Sequence, residues 1–364
     1  MEKLKILHIH EVYTPYKGGS AIRIENLLVN QFEQFKDEID VVCSTKGIEN
    51  KPSNEVINNI RVFRVKNFRK RIFQNVISLI LRKNYDYIHV HNTWLCFLIF
   101  PLFLIYRKKI VLEIHSLKKR SLWKQKLHEI FILASPRIIV LSKETKKYLV
   151  QNLRINPKRI FVVINGLKLV SYQENQINLY SEKSNKNLIY FGSLYKWQGT
   201  ENILKLCQHI NQNDLDIKIT VIGEGPEKQS LLNSCFYGNC LEVLDFMSTE
   251  KLYKEILKYD AFLYLRPQQL QNELTFPLKI LELGALGLPI ICTNRKAHFE
   301  VFKDNSEENY LNVLRNESEI PEQVINLLKD NKTLQRRASA FKEYIFNNDF
   351  SWKNSAVNYR KSYV

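Results

Sequence analysis

The sequence predicts an α/β protein made of two doubly wound domains, each with a largely parallel sheet covered by helices. Three observations support this prediction. Short runs of β-branched and aromatic residues alternate with amphipathic stretches through residues 1–165. A polar segment without such runs follows at residues 171–186. The alternation then restarts, and a chain of 364 residues is long enough for two domains of ordinary size.

The first half contains seven segments with the composition of buried strands. They lie at residues 4–10, 39–43, 60–65, 87–91, 109–114, 137–141 and 160–164. Amphipathic stretches between them, such as residues 23–35 and 72–83, predict the crossover helices that join parallel strands. We therefore predict that residues 1–170 form the first domain and that residues 171–186 form a linker.

Five more strand segments follow the linker. They lie at residues 188–191, 217–222, 241–244, 261–265 and 288–292. We predict that residues 187–345 form the second domain. We also expect residues 346–364 to form a C-terminal helix that packs back on the first domain.

The composition excludes several classes of protein. Hydrophobic residues make up 45% of the chain, enough for a sizeable core. The longest apolar run, residues 94–106, contains a proline and is shorter than the roughly 20 residues that span a bilayer, so we expect no transmembrane helix. The N-terminal residues read as a strand and not as a secretory signal. The six cysteines fit no common zinc spacing, so we expect reduced thiols and a cytoplasmic protein.

The charge is unevenly distributed. The net charge is +17, and residues 1–170 carry 31 basic against 13 acidic side chains. We expect this basic half to face an anionic partner. Basic residues beside apolar segments favour an anionic membrane over nucleic acid, for which no motif is present. A solvated charged face over a buried helix remains the alternative. The candidate residues are Arg69, Lys70, Arg71, Arg107, Lys108, Lys109, Lys118, Lys119 and Arg120.

One apolar segment near the end of the second half carries two charges. Residues 277–287 begin at Pro277 and end at Gly287, which are typical first-turn and C-terminal residues of a helix. The predicted helix is apolar on most faces, yet it contains Lys279 and Glu282. A buried carboxylate is costly unless it is paired or bound to a polar ligand. Glu282 therefore either pairs with Lys279 three residues away or accepts hydrogen bonds from a ligand.

Glycine-containing turns follow several predicted strands. These are Gly18 with Gly19, Gly192, and Gly223 with Gly225. In doubly wound folds such turns meet helix N-termini, where free amides and the helix dipole favour phosphate groups. None forms a G-x-G-x-x-G or P-loop motif, so dinucleotide and P-loop chemistry are disfavoured.

An ordered series of segments resembles the retaining glycosyltransferases of family 4, also called group 1, which have the GT-B fold. "LTFPLKILE" followed by "GLPII" resembles the family's E-x7-E signature. "PYKGGSAIRIENL" resembles its early glycine loop, and "YDYIHVHN", "VLEIHSL" and "VIGEGP" resemble further landmarks. The resemblance runs along nearly the whole chain. It implies two Rossmann-like domains that face each other across a cleft.

The resemblance also implies roles for individual residues. Glu282 inherits the ribose-binding role of the second signature glutamate. The first signature glutamate falls on Leu274, beside Glu273, to which we assign contact with the donor sugar. His115 takes the place of a histidine that contacts that sugar, and Gly18 and Gly19 lie against the donor.

The chain departs from the family where cations bind the diphosphate. Ser193 and Gln198 replace the arginine and the lysine of the family pattern. Lys196, Arg266 and Lys279 are the candidates to compensate. The predicted donor-binding residues are Gly18, Gly19, Gly192, Ser193, Lys196, Gln198, Gly223, Arg266, Pro277, Leu278, Lys279 and Glu282. The predicted catalytic residues are His115, Gly19, Lys279 and Glu273.

The implied function is transfer of a sugar, with retention, from a nucleotide-sugar to a lipid-linked or polysaccharide acceptor of the cell surface. The donor is expected to be a UDP-sugar and a substrate, with no cofactor and no metal. The expected location is the inner face of the cytoplasmic membrane. The alternatives are a GT-B sugar epimerase or phosphorylase, and a catalytically inactive partner protein.

Overall fold

The computed structural model describes residues 2–16, 18–46, 52–118, 121–168, 185–256, 258–302 and 306–364. The chain forms two compact units. Unit 1 consists of Met1–Leu167, Leu274–Phe276 and Phe350–Val364, and unit 2 of Lys168–Glu273 and Pro277–Asp349. Most of the predicted linker lies outside the described residues, as do Lys119 and Arg120 of the predicted basic face.

Unit 1 is built on one eight-stranded sheet with the order β3-β4-β2-β1-β5-β6-β7-β8. The strands are β1 Lys5–Ile9, β2 Glu38–Ser44, β3 Asn54–Ile57, β4 Ile60–Val65, β5 Tyr87–His91, β6 Ile110–Ile114, β7 Arg137–Val140 and β8 Ile160–Val162. All pairs are parallel except β3 with β4. The sequence reading missed β3, a short and partly exposed edge strand. Asn58 and Asn59, with φ of 51° and 65°, form the two-residue turn that could have indicated this hairpin.

Helices cover both faces of this sheet. They are α1 Gly19–Phe35, α2 Phe68–Arg82, α3 Thr93–Leu98, α4 Phe100–Ile105, α5 Leu122–Ala134 and α6 Lys143–Leu153. The apolar run at residues 94–106 forms two short helices, α3 and α4, which bury Leu95, Leu102 and Phe103 in the core of unit 1. Half of that run is therefore core packing, which composition alone could not show.

Unit 2 has a six-stranded parallel sheet with the order β11-β10-β9-β12-β13-β14. The strands are β9 Lys186–Phe191, β10 Ile217–Ile222, β11 Leu241–Leu244, β12 Ala261–Tyr264, β13 Ile290–Thr293 and β14 Asn312–Leu314. The sequence reading missed β14, which has only three residues. The two separate parallel-dominated sheets confirm the predicted class of two Rossmann-like domains.

Eight helices of the described residues accompany this second sheet. They are α7 Thr200–Gln212, α8 Lys228–Leu232, α9 Thr249–Ile256, α10 Leu270–Leu274, α11 Leu278–Leu286, α12 Lys296–Phe299, α13 Ile320–Lys329 and α14 Asn331–Asn347. Within the described part of the chain, no helix combines the length and the apolar character needed to cross a bilayer.

The last helix, α15 Trp352–Lys361, belongs to unit 1 and packs against α1. Arg360 Nε lies 2.8 Å from Asp37 Oδ2, and both side chains are buried. A β-bridge joins Leu167 to Ser351, next to the start of this helix. The C-terminal residues thus complete the core of the first unit.

Candidate functional site

Two glycine turns of unit 2 are in direct contact at the carboxyl edge of its sheet. Gly192 follows β9 and Gly223 follows β10, and the register pairs Phe191 with Ile222 just before them. A Cβ added to Gly223 would lie 1.8 Å from the carbonyl oxygen of Gly192. Only glycine allows this approach, so the two turns expose backbone at the strand ends where doubly wound folds bind ligands.

The predicted apolar helix forms beside these turns. Helix α11 has Pro277 as its N-cap and Gly287, with φ of 78°, as its C-cap. It starts one residue later than the sequence analysis placed it, at Leu278. The amide groups of Leu278 and Lys279 lie in its first turn, where a helix offers them no internal acceptor.

Lys279 and Glu282 of α11 are both partly exposed. The Lys279 ammonium lies 5.2 Å from the centre of the Phe191 ring and 3.1 Å from a Cβ placed on Gly192. Among the described residues, neither side chain has an ion-pair partner within 4.0 Å or a hydrogen bond. The local ion pair is therefore not formed, and both groups remain able to bind a ligand.

Burial shifts the pKa of each residue of this pair in the direction that favours its neutral form. Burial lowers the pKa of Lys279, which Glu282 partly restores and Arg266 lowers further. Burial likewise raises the pKa of Glu282, against the attraction of Lys279. Burial thus penalises the charged form of each group, and an oppositely charged or hydroxyl-bearing ligand would offset that cost.

Arg266 is fixed near Lys279 by the residues that replace the family's cations. Its guanidinium lies 4.6 Å from the ring centre of Tyr264 and 5.2 Å from that of Trp197. Arg266 Nε donates to Gln198 Oε1 at 3.0 Å, and Gln198 Nε2 donates to Ser193 Oγ at 3.2 Å. Of the three candidate cations, Arg266 and Lys279 therefore lie at this edge. Lys196 instead lies on the surface, 3.3 Å from Glu201.

Glu273 is occupied by contacts within unit 2. Its carboxylate lies 3.5 Å from Arg295 Nη1 and accepts a hydrogen bond from the amide of Lys296 at 3.2 Å. Arg295 is buried, and no sequence pattern pointed to it. The neighbouring Leu274 is buried in unit 1, where its carbonyl oxygen accepts hydrogen bonds from Ser142 and Thr145. Glu273 is thus already paired with an arginine, which makes it less available for the predicted contact with the donor sugar.

Unit 1 contains a buried cluster of histidines on three adjacent strands. Because side chains alternate along a strand, residues two apart share one face of the sheet. This places His8 of β1 and His10, just after that strand, beside His89 and His91 of β5. Glu113 of β6 and His115, just after that strand, lie next to them. The sequence analysis did not single out Glu113. The sequence did contain a signal, a titratable residue two positions before a histidine at His8–His10, His89–His91 and Glu113–His115. These three pairs fall on or just after strands that are neighbours in the sheet.

Glu113 is the charged centre of this cluster. Its carboxylate is fully buried and lies 2.7 Å from Arg23 Nε and 3.1 Å from His89 Nε2. The hydroxyl of Tyr359, from α15, donates to it at 3.0 Å. Burial by itself raises the pKa of Glu113, but the Arg23 guanidinium and the hydrogen bond with His89 outweigh burial and hold that pKa well below its usual value. Glu113 is therefore ionised and accepts hydrogen bonds only.

His115 lies at the partly open end of the cluster. Its Nε2 is 3.3 Å from Glu113 Oε1, while its Nδ1 has no hydrogen-bond partner among the described residues. Burial lowers the pKa of His115 to about 3, although Glu113 acts to raise it. The imidazole is thus neutral at pH 7. With its proton on Nε2, it offers Nδ1 as an acceptor for a hydroxyl group.

Two groups of side chains in this cluster have the types and spacing of metal ligands. They are His8 with His89 and His91, and His91 with Glu113 and His115, each with ligand atoms within 4.8 Å of one another. The first group has no exposed surface. In the second, Arg23 already neutralises the carboxylate, which weakens its attraction for a cation.

The glycine loop at the start of α1 is open on one side. Gly18 is the N-cap residue, and a Cβ on it would lie 2.8 Å from the Tyr16 ring. A Cβ on Gly19 would meet no described atom within 4 Å. Apart from its chain neighbours, no described residue therefore fills the space beside the Cα of Gly19.

The predicted basic residues have different surroundings. Lys109 Nζ donates to Asn84 Oδ1 and to the carbonyl of Tyr85, so its ammonium group makes its hydrogen bonds within unit 1. Arg107 Nε donates to the carbonyl of Ala134 at 2.6 Å. The exposed members of the described set are Arg69, Lys70, Arg71, Arg107, Lys108 and Lys118.

Known proteins resemble the chain over nearly its whole length. An uncharacterized glycosyltransferase of Methanocaldococcus jannaschii is 24% identical over 405 residues, covering 99% of this chain and 98% of the relative. Sucrose-phosphate synthase from Thermosynechococcus elongatus has a similar structure, with a TM-score of 0.79 and 14% identity over 99% of this chain and 98% of that one. Anabaena HepE, solved with UDP and glucose, gives a TM-score of 0.73 and 14% identity over 99% of both chains.

Two family profiles divide the chain between them. The profile described as Glycosyltransferase Family 4 matches residues 17–170. The profile described as Glycosyl transferases group 1 matches residues 171–344, which include both glycine turns and helix α11. With two Rossmann-like units and these matches, the chain belongs to the group 1 glycosyltransferases and is a transferase of the GT-B fold.

Proposed function

We propose that the protein transfers a hexosyl or N-acetylhexosaminyl group from a UDP-sugar, with retention and without a metal. One observation carries the donor-binding part of this proposal. Lys279 and Glu282 are ionisable, partly exposed and without an ion-pair or hydrogen-bond partner among the described residues, and the Lys279 ammonium lies beside the Gly192 turn. An anion and a set of hydroxyls on one ligand would satisfy both groups, and a nucleotide-sugar has both.

Each group of unit 2 then has a role in donor binding. Glu282 accepts hydrogen bonds from the ribose hydroxyls. The diphosphate lies against the amides at the start of α11 and the Lys279 ammonium, with Arg266 adding positive charge. We propose UDP as the nucleotide, and the support is that HepE, which shares this fold, was solved with UDP and glucose.

The chemical step needs stabilisation of the departing diphosphate. The bond between the anomeric carbon and the diphosphate oxygen breaks, and its electron pair leaves with that oxygen. The acceptor hydroxyl forms the new bond on the same face, and its proton passes to the departing phosphate. Fixed amides and cations such as Lys279 meet the developing charge without reorganising, which is the largest contribution expected of such a site. In unit 1, Gly19 and His115 are assigned to contact the donor sugar, and we retain Glu273 as a weaker candidate.

We propose a lipid-linked or polysaccharide acceptor in the synthesis of a surface glycan such as capsule, O-antigen or lipopolysaccharide. The support is the charge of the first half of the chain, in which the exposed basic residues outnumber the acidic ones. A positive face suits a diphospholipid acceptor held at the cytoplasmic surface of the membrane. The proposed location is therefore peripheral, on the inner face of that membrane.

Three departures from the family pattern favour a second candidate, an inactive GT-B partner protein. Leu274, Ser193 and Gln198 stand where the family has a glutamate and two cations, and Glu273 is bound to Arg295. Such a protein would bind a nucleotide-sugar and transfer nothing. Turnover therefore separates the two candidates, whereas binding does not.

Ligand-observed NMR against UDP-, GDP- and ADP-sugars is the experiment that tests the donor site. We expect binding of UDP-sugars that falls at least about tenfold in Glu282→Ala and in Lys279→Met, since each removes about one charge-assisted interaction. Glu343→Ala, an exposed glutamate on α14, is the matched control and should bind normally. Equal binding by Glu282→Ala would show that α11 is merely a packed helix.

A further inference from the structure

Large apolar side chains are concentrated on one exposed part of unit 1. Among the residues that the structure describes, sixteen large hydrophobic side chains are exposed, and nine of these lie within residues 97–133. We call them the apolar helix surface: Phe97, Phe100, Leu104, Ile105, Leu122, Trp123, Leu127, Ile130 and Leu133. Single exposed apolar residues are ordinary, but such a group in one region marks an interaction site.

Contacts join the three helices that carry this surface. The Phe131 ring of α5 is 4.6 Å from the Phe97 ring and 6.1 Å from the Phe100 ring, centre to centre. At the other end, Arg107, just after α4, donates to the carbonyl of Ala134 at the end of α5. Helices α3, α4 and α5 therefore pack together through Phe131 and Arg107, and these three helices carry all nine exposed apolar residues.

Helix α5 carries apolar residues on its solvent face. Trp123, Leu127 and Ile130 follow each other at helical spacing and are 62%, 38% and 57% exposed. Phe131 and Ile132, on the adjoining face, are buried. That face packs α5 on unit 1, whereas the apolar stripe is exposed to solvent.

Positive charge surrounds this stripe. Lys108, Lys118, Lys124 and Lys126 are exposed beside or between the apolar residues. The acidic residue of α5, Glu129, accepts a hydrogen bond from Gln125. A second copy would bring the same positive charges together, which is unfavourable, and nucleic acid offers nothing to bury aliphatic side chains. A bilayer with anionic lipids complements both features.

The surface also begins near the proposed site. Helix α5 follows β6, so its N-terminal end lies toward the carboxyl edge of the sheet, where His115 lies. Leu122, the most exposed residue of the stripe at 83%, is seven positions after His115. At 13 residues, about 20 Å, α5 is too short to span a bilayer but suits one that lies in its interface.

We propose that α4 and α5 dock unit 1 on an anionic phospholipid membrane by inserting these side chains into the interface. The basic residues attract the headgroups, and the apolar stripe enters the acyl boundary beside the edge that bears His115. This inference rests on the proposed function only in supposing that the acceptor is lipid-linked. Binding to the membrane itself is independent of turnover.

Sedimentation with vesicles tests the proposal. The probes are phosphatidylcholine vesicles with and without one-third phosphatidylglycerol. We expect binding to the anionic vesicles, reduced roughly tenfold or more in the triple variant Leu122→Ser, Leu127→Ser, Ile130→Ser, because each loses buried apolar area. Phe246→Ser, an exposed apolar residue of unit 2, is the matched control and should bind normally. Tryptophan emission should shift to the blue on binding in the parent protein and not in Trp123→Phe.

The other outcomes would overturn the proposal. Binding that 0.5 M salt abolishes and the triple variant leaves unchanged would show an electrostatic contact without insertion. A concentration-dependent dimer in sedimentation velocity that the triple variant loses would assign the surface to a second copy. UDP-sugar binding of the triple variant is measured alongside, so that failure of the donor site and failure of membrane docking are told apart.

Discussion

At the scale of single residues, Gly19 offers a direct test of ligand contact. It is the first residue of α1, and a Cβ there would meet no described atom within 4 Å. We predict that Gly19→Ala folds as stably as the parent, because alanine is the better helix former. We also predict that it binds the UDP-sugar at least several-fold more weakly, since the new methyl occupies space assigned to the donor. Calorimetric titration and thermal melting measure the two effects. Unchanged donor affinity would remove Gly19 from the site.

Glu113 is the residue whose role emerged only from the structure. An ionised carboxylate only accepts hydrogen bonds, so it favours the tautomer of His115 with the proton on Nε2. We predict that Glu113→Gln, which offers a donor as well as an acceptor at the same place, populates both tautomers of His115 and weakens donor-sugar contact more than nucleotide binding. NMR of ¹⁵N-histidine-labelled protein reports the tautomers, and His115→Gln identifies the signal.

The result for Glu113→Gln separates positioning from simple support of the fold. Glu113 acts through His115 if the variant melts normally and shows mixed tautomers. The KM for the sugar donor should then rise while the affinity for UDP stays unchanged. If His115 stays in one tautomer in this variant, its orientation is set by other contacts, such as the one with His91 at 3.4 Å.

At the scale of elements, the contact between the turns after β9 and β10 determines the shape of the donor site. We predict that Gly223→Ala displaces the turns, because its methyl would lie 1.8 Å from the Gly192 carbonyl oxygen. Overpacking and positive φ together should cost roughly 2 kcal/mol or more of stability, and donor affinity should fall with it.

Gly238 provides the matched control for this change. Its φ is 79°, but a Cβ there meets no described atom within 4 Å. Gly238→Ala should therefore show only the smaller cost of strained backbone, about 1 kcal/mol, and normal donor affinity. Urea unfolding and nucleotide titration measure both variants. Equal losses in the two variants would indicate that backbone strain, and not the contact between turns, is what matters.

At the scale of the whole molecule, the buried histidines make stability depend on pH. Burial lowers the pKa of His10 to about 4 and that of His115 to about 3, from an ordinary value of 6.5. Below pH 6.5 these histidines take up protons in the unfolded chain, whereas they stay neutral in the folded chain. The free energy of unfolding is therefore highest above pH 6.5 and decreases as the pH falls toward 4 and 3.

We therefore predict a free energy of unfolding that drops by roughly 2 kcal/mol or more between pH 6 and pH 5, since each such histidine contributes about 1.4 kcal/mol per pH unit. Urea unfolding at several pH values measures it, and His115→Gln should reduce the slope by about one proton. Constant or rising stability at low pH would mean that an imidazolium is present in the folded cluster, paired with Glu113.

The sequence alone was enough for the class of fold and most of its strands. Short, nearly continuous runs of β-branched and other apolar residues identify a parallel strand that is buried on both faces, which is why Ile217–Ile222 is placed to the residue. The two missed strands, Asn54–Ile57 and Asn312–Leu314, are short, and the first is a partly exposed edge strand. Such strands are held by pairing with a neighbour more than by their own composition, and one sequence does not display that pairing.

The candidate site divides in the same way. The glycine turns and the charged pair of α11 were readable, because glycine and a charge in an apolar helix are locally anomalous. Only the tertiary structure showed that Lys279 and Glu282 do not pair, that Arg266 and not Lys196 lies beside them, and that Arg295 binds Glu273. It also joined Arg23, Glu113 and Tyr359, which are distant in sequence, into one buried network. The chemistry of a residue is local, but its partners are set by chain packing over long sequence separations.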